Sequence, residues 1–239
     1  MTRDVSGDEW ALVTGAGSGI GLAIAQALAA RGTRLILVGR RPEVLHRAAA
    51  SLPVEAMTVA ADVATDAGID AVSAALPASL GILVHSAGMF HHGPVAATTP
   101  GTWDRLFGVN VRGPLALTAA CLPQLRRARG QVVFVNSTAG LGGSPGNGAY
   151  AATKQALRAA ADVLRQEIAA EGIRVLSVYP GRTDTPMQVQ VLQAENRPGG
   201  DVALLRPEYV ADVVMAALSL PADAELGDLV IRPRRPGPP

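Results

Sequence analysis

Cysteine is nearly absent: Cys121 stands alone in 239 residues, which excludes an intrachain disulfide framework and any cysteine-based metal cluster. Aromatic residues make up only 3%, so a core has to be built from Ala, Val, Leu and Ile. The 49% hydrophobic content supplies enough of them for one full-sized domain. Charge is scarce as well, at 17%, and balances to a formal +1. No basic field invites nucleic acid, and no acidic field marks a solvating tail. No apolar run approaches the roughly 18 residues of a membrane span. The first ten residues carry Asp4, Asp8 and Glu9 without an apolar segment, so no signal peptide is expected and a cytoplasmic location is. Lysine is the scarcest charged residue: of 21 lysines and arginines, 20 are arginine, and Lys154 is the only lysine.

What is present is an alternation of short β-branched runs with helical stretches. Ala11 to Thr14 leads through a glycine turn into a helical stretch reaching Arg31. Leu35 to Val38 precedes a second helix from about Glu43 to Ser51. Further strands are expected at Val54 to Ala60, Ile82 to His85, Val132 to Val135, Val175 to Val178 and Leu229 to Ile231. Apolar runs without alternation, separated by helices, suit strands buried on both faces of a parallel sheet. Right-handed crossovers then place helices on both sides of it. With no repeat or interior linker, residues 1–239 read as one doubly wound α/β domain of about seven strands. The proline-rich end, residues 232–239, reads as a flexible tail.

The first strand runs into Thr14-Gly15-Ala16-Gly17-Ser18-Gly19-Ile20-Gly21, with a helix directly after it. Glycines allow a tight turn and let backbone N–H groups approach a phosphate, and the helix N-terminus adds partial positive charge. The spacing differs from G-x-G-x-x-G, yet its place between a first strand and a helix points to a dinucleotide. The second strand ends Val38-Gly39-Arg40-Arg41, without the carboxylate that binds the ribose hydroxyl of NAD. A guanidinium suits the 2′-phosphate of NADP, so Arg40 and Arg41 favour NADP(H) over NAD(H). Asp62-Val63, after the third strand, suits either the adenine amino group or a helix N-cap.

Tyr150 and Lys154 lie four apart on an alanine-rich helix and project from one face. A neighbouring ammonium favours a phenolate and is expected to lower the tyrosine pKa, as a general acid/base requires. Ser137, at the end of the fifth strand, is placed to donate to a carbonyl oxygen.

On these motifs the sequence resembles the short-chain dehydrogenase/reductase family over nearly its whole length. The family's Thr-Gly-xxx-Gly-x-Gly turn matches Thr14 to Gly21. Its catalytic Ser, Tyr and Lys match Ser137, Tyr150 and Lys154, and its helix asparagine matches Asn110. Its Pro-Gly segment, which lies along the nicotinamide, matches Pro180-Gly181, with Thr183 and Thr185 following. The resemblance implies a Rossmann fold of three α/β/α layers and NAD(P)-dependent carbonyl/alcohol chemistry. It assigns Lys154 to the nicotinamide ribose and Asn110 to a water that links Lys154 to solvent. One motif departs: the family's Asn-Asn-Ala-Gly reads His85-Ser86-Ala87-Gly88 here. Ala87 and Gly88 keep the small residues for cofactor approach, and His85 reads as a buried, satisfied histidine, not a base.

A small-molecule carbonyl or alcohol is the expected substrate, with a short lid over 183–205 and no metal, since no His/Asp/Glu cluster has ligand spacing. His91 and His92 read as exposed loop residues. Arg182 suits the cofactor, an anionic substrate group or a structural ion pair. A non-catalytic NADP-binding regulator keeps the glycine turn but has no need of the Ser-Tyr-Lys-Asn set. Small residues on the helix after Tyr150 permit close packing, and the family implies a homodimer or homotetramer.

Overall fold

The computed structural model describes residues 9–197 and 202–234. Seven strands form one parallel sheet: β1 (Trp10–Thr14), β2 (Arg34–Gly39), β3 (Ala56–Ala60), β4 (Ile82–His85), β5 (Gln131–Val135), β6 (Arg174–Pro180) and β7 (Asp228–Ile231). Their spatial order is β3-β2-β1-β4-β5-β6-β7. Helices α1 (Gly19–Ala29), α2 (Pro42–Ala50), α3 (Asp66–Ala74), α4 (Pro100–Phe107), α5 (Gly113–Ala128), α6 (Gly148–Ile168), α7 (Pro186–Ala194) and α8 (Pro207–Leu218) connect them. This is the doubly wound, Rossmann-type arrangement read from the sequence.

The strands bury both faces, and the pleat divides their side chains between two cores. Val13, Leu37, Val84, Val133 and Val178 point to one side, where α1 and α8 supply Ile24, Leu28, Val210 and Val214. Leu12, Ile36, Leu83, Val132 and Phe134 point to the other, against Leu117, Cys121 and Leu125 of α5 and Leu157 and Ala161 of α6. The stretch Pro100–Ala128 is long and apolar enough to cross a membrane by length and composition alone. Here its α5 portion is a core helix, with those three side chains fully buried.

Boundaries shift slightly from the pattern. β3 begins at Ala56 and not Val54, because parallel pairing starts where Ala56 meets Leu35. β6 runs on to Pro180, whose partner is Ile231 of β7. The expected tail is partly folded: Pro233 closes over Gly181, where an added Cβ would stand 2.9 Å from its Cδ. Residues 235–239 of that tail, and 198–201 of the expected lid, lie outside the described residues. The chain reverses its direction of winding between β1 and β4, so a crevice opens at the carboxyl ends of these neighbouring strands.

Candidate active site

A cleft of about 1080 Å³ follows that carboxyl edge. At one end stands the glycine turn. Gly15 and Gly19 adopt φ of +66° and +55°, values open to glycine at little cost. At Gly15 a Cβ would also meet the Ala87 backbone nitrogen at 2.8 Å. Thr14 fixes this approach: its Oγ1 accepts from the N–H groups of Ser86 and Ala87, both at 3.1 Å. Ser18 holds the N-cap position of α1 without capping it through its side chain. A glycine cradle at a helix N-terminus fits the pyrophosphate of a dinucleotide.

Gly15, Gly17, Ser18, Gly19 and Ile20 line the cleft, as do Arg40, Arg41, Asp62, Val63, Ala87 and Gly88. Gly21 does not; it packs on the Gly15 carbonyl, which an added Cβ would meet at 2.5 Å. Arg40 and Arg41 are exposed at the rim, and among the described residues neither side chain makes a hydrogen bond or ion pair, while the Arg41 carbonyl accepts from Val44 and Leu45 N–H. Of the two roles open to Asp62, helix capping belongs to its neighbour: Thr65 Oγ1 accepts from Gly68 N–H at 3.0 Å and caps α3. Asp62 Oδ1 accepts from Ala64 N–H at 3.0 Å and shapes the turn before it.

At the other end stand Ser137, Tyr150 and Lys154. Ser137 Oγ accepts from Ala139 N–H at 3.1 Å and shares a hydrogen bond with the Tyr150 phenol. Tyr150 is 8% exposed, and Phe90 meets its ring edge-on at 5.3 Å between centres. Lys154, 4% exposed, donates from Nζ to the Val135 carbonyl at 3.2 Å and lies 5.8 Å from the Tyr150 ring centre.

The electrostatics differ from the expectation that Lys154 lowers the tyrosine pKa. Burial pushes Tyr150 up to about 12, with the Ser137 hydrogen bond pulling the other way. Burial pushes Lys154 down to about 8. Removing both groups from water penalises whichever form is charged, which raises the phenol and lowers the amine.

Asn110 is held in a hydrogen-bond network of its own. It sits inside a π-turn, Gly108–Arg112, between α4 and α5. Its side-chain Oδ1 accepts from Met89 N–H at 2.8 Å. Nδ2 donates to the Met89 carbonyl at 2.8 Å and to Thr153 Oγ1 at 3.0 Å. Thr153 Oγ1 donates in turn to the Tyr150 carbonyl at 2.8 Å. Asn110 therefore braces α6 against the loop after β4 from behind the cleft, with both amide N–H groups spent and one lone pair left on Oδ1. On the other side of α6, Asn136 Nδ2 donates to the Lys154 carbonyl at 3.0 Å. Sequence reasoning missed both Thr153 and Asn136. Their adjacency to Tyr150, Lys154 and Ser137 was the available signal.

His85 is buried, stacks on Phe134 at 5.0 Å and lies with Nε2 2.8 Å from Thr118 Oγ1. The Thr118 hydroxyl donates to the Pro114 carbonyl, so His85 Nε2–H is the donor of the pair. Burial pushes its pKa down to about 3, and the ring is neutral. Of the two histidines expected to be exposed in the loop, His92 is exposed but His91 is half-buried.

Pro180, Gly181, Thr183 and Thr185 line the wall beside Ser137 and Tyr150. Thr185 Oγ1 caps α7 by accepting from Gln188 N–H at 3.2 Å, and Thr183 Oγ1 donates to the Gly181 carbonyl at 3.0 Å. Met187, Gln190 and Val191 of α7 face the same space. Of the three roles open to Arg182, the structure displays an ion pair, with Glu195 just beyond α7. Among the described residues no group of three or more His, Cys, Asp or Glu is gathered to hold a metal.

The sequence profile described as short chain dehydrogenase matches residues 9–196. An uncharacterized oxidoreductase of Staphylococcus epidermidis is 35% identical over 227 residues, covering 93% of this chain and 96% of that protein. The L-sorbose reductase of Gluconobacter frateurii, solved with NADPH and L-sorbose, superimposes with a TM-score of 0.89 at 28% identity, over 98% of each chain. The 3-ketoacyl-(acyl-carrier-protein) reductase of Brucella melitensis, solved with NADH, gives a TM-score of 0.85 at 30% identity, over 95% of this chain and 98% of that one.

Proposed function

The chain belongs to the short-chain dehydrogenase family of oxidoreductases, and from that premise we propose that it interconverts a carbonyl and an alcohol with NADP(H), using Tyr150 as the general acid/base. One observation carries this reading: Ser137, Tyr150 and Lys154 converge at one end of a cleft whose other end is a glycine cradle. The cradle, together with Ala87, Gly88 and the Pro180 to Thr185 segment, holds the cofactor. When bound, it supplies or accepts the hydride.

The remaining work falls to the chain. Ser137 donates to the substrate oxygen and stabilises negative charge developing there. Tyr150 keeps its proton at neutral pH, because burial holds its pKa at about 12, and so is set to deliver a proton to that oxygen during reduction. Lys154, charged below about pH 8, stands behind the ring as the phenol loses its proton. Asn110 and Asn136 position α6 beneath both side chains.

NADP is preferred on the strength of Arg40 and Arg41, whose side chains stand unpaired among the described residues at the rim where a carboxylate would select NAD. The related structures were solved one with NADPH and one with NADH, so the fold alone does not choose between them, and the preference proposed here rests on these two arginines. Residues 1–239 act as one catalytic unit in this reading, in a homo-oligomer.

NADPH oxidation against a panel of ketones and aldehydes tests the proposal. Tyr150→Phe should lower kcat by about 10²–10⁴-fold while NADPH still binds. Near-wild-type turnover in that variant removes Tyr150 from the chemistry. A wild-type protein that binds NADPH but reduces no carbonyl is the regulator instead.

A further inference from the structure

Arg182 follows Pro180-Gly181, and its backbone is held firmly. Its carbonyl accepts from Leu205 N–H at 2.9 Å, and Asp184 N–H donates to the Leu205 carbonyl at 2.8 Å. Only the side chain is left to move, and it lines the cleft together with Glu195. The ion pair between them uses half of the guanidinium. A single nitrogen, Nη2, donates to both Glu195 oxygens, at 2.7 and 2.8 Å. Nη1 is buried without an acceptor among the described residues. An arginine that meets a carboxylate as a planar fork gives two parallel bonds from two nitrogens. Here one arm is idle, and a buried donor without a partner is costly.

A second idle donor lies on the same wall. Gln188 is only 7% exposed and lines the cleft, and its Nε2 is also buried without an acceptor among the described residues. Within the described part of the segment from Arg182 to Arg197, the unpartnered buried side-chain atoms are these two N–H donors. Both donors are shut off from solvent while the Arg182–Glu195 pair is closed, so an incoming acceptor reaches them only as that pair opens, and the group resting on the guanidinium is a carboxylate. The nucleotide end of the cleft has its own cations in Arg40 and Arg41.

We infer that Arg182 recognises a carboxylate carried by the substrate, and that Glu195 is an internal carboxylate which occupies the guanidinium until the substrate's carboxylate exchanges with it. The inference rests on the oxidoreductase reading above and narrows its substrate to oxo acids or the corresponding hydroxy acids. Exchange is open to solvent, because the Arg182 and Glu195 side chains are 35% and 24% exposed.

The test uses 2-, 3- and 4-oxo acids, each beside its neutral primary amide, and reads the acid-to-amide ratio of kcat/KM with NADPH. The wild-type ratio should exceed one for at least one spacing. Arg182→Met should lower that ratio by about 10-fold or more, the effect of losing a charge-assisted hydrogen bond. Glu195→Gln, which removes the competing charge, should raise the ratio above wild type. Ratios at or below one for every wild-type pair overturn the inference. So does an equal change for acid and amide in both variants, which is what a merely structural latch would give. A raised KM for NADPH in Arg182→Met, with the ratio unchanged, overturns it in favour of a cofactor contact. Calorimetric titration of acid and amide into NADP-loaded protein separates the two readings. Arg182-dependent binding of the acid without turnover sustains the recognition site and removes the oxidoreductase; turnover of amides and acids alike does the reverse.

Discussion

The Lys154 ammonium lies 5.8 Å from the centre of the Tyr150 ring and is bonded to the Val135 carbonyl, not to the phenol. Burial acts on the two in opposite directions, holding the phenol near 12 and the amine near 8. Of the pair, Lys154 is therefore the group that titrates in an ordinary assay range. Carbonyl reduction should be steady below about pH 8 and fall above it, as the positive charge behind Tyr150 is lost. Arginine stays protonated throughout this range. In Lys154→Arg the alkaline limb should vanish from whatever activity is retained. A wild-type rate that stays level to pH 10 would take Lys154 out of the proton-transfer account.

Arg40 is exposed at the end of β2 and free of ion pairs among the described residues. Replacing it with aspartate removes a phosphate partner and creates an acceptor for a ribose hydroxyl. Arg40→Asp should shift the NADPH/NADH ratio of kcat/KM toward NADH by about 10²-fold. An unchanged ratio would pass the discrimination to Arg41.

The fold was legible because its strands are apolar runs long enough to be buried on both faces, as in Leu35 to Val38, and because glycines mark the first turn. The cleft's lining was legible for a related reason: Thr14 to Gly21 and Pro180-Gly181 are local motifs, and one strand edge gathers them. What escaped depended on contacts between distant segments. Thr153 looks like one more residue of a helix, yet it couples Asn110, 43 positions away, to the Tyr150 carbonyl. Arg182 could not be assigned because its partner, Glu195, lies 13 residues on, past a helix whose angle the sequence does not specify. The tyrosine pKa was misread for another reason. Spacing along a helix gives proximity, but the depth of burial, which governs the shift, is a property of the assembled protein.

His85 carries a pH-dependent share of stability. The unfolded chain binds a proton at this ring below its ordinary 6.5, whereas the folded chain keeps it neutral down to about 3. Between these values the unfolded state holds more protons, so stability falls as pH drops. At pH 4.5 the loss from this group alone should be about 3 kcal/mol. His85→Gln retains a donor for Thr118 without a titrating ring. Its melting temperature should therefore decline less than that of wild type between pH 7 and pH 4.5. Parallel declines would mean that His85 does not govern acid stability.

Asn110 offers a test of bracing against proton relay. Its amide accepts one bond and donates two within a buried network, and Asn110→Asp keeps the shape while converting both donors into a carboxylate oxygen. The Met89 carbonyl would then face negative charge without a proton between them, and Thr153 Oγ1 could meet the carboxylate only by giving up its bond to the Tyr150 carbonyl. Unpaired or repelled polar groups in such a site cost about 1–3 kcal/mol each. Asn110→Asp should accordingly lower the melting temperature by several degrees along with kcat. Asn110→Ala, which leaves the Met89 N–H and carbonyl without a side-chain partner, should do the same to a smaller degree because it buries no charge. Thermal denaturation beside steady-state kinetics decides the matter: a fall in kcat at unchanged melting temperature in both variants would return Asn110 to a purely catalytic part.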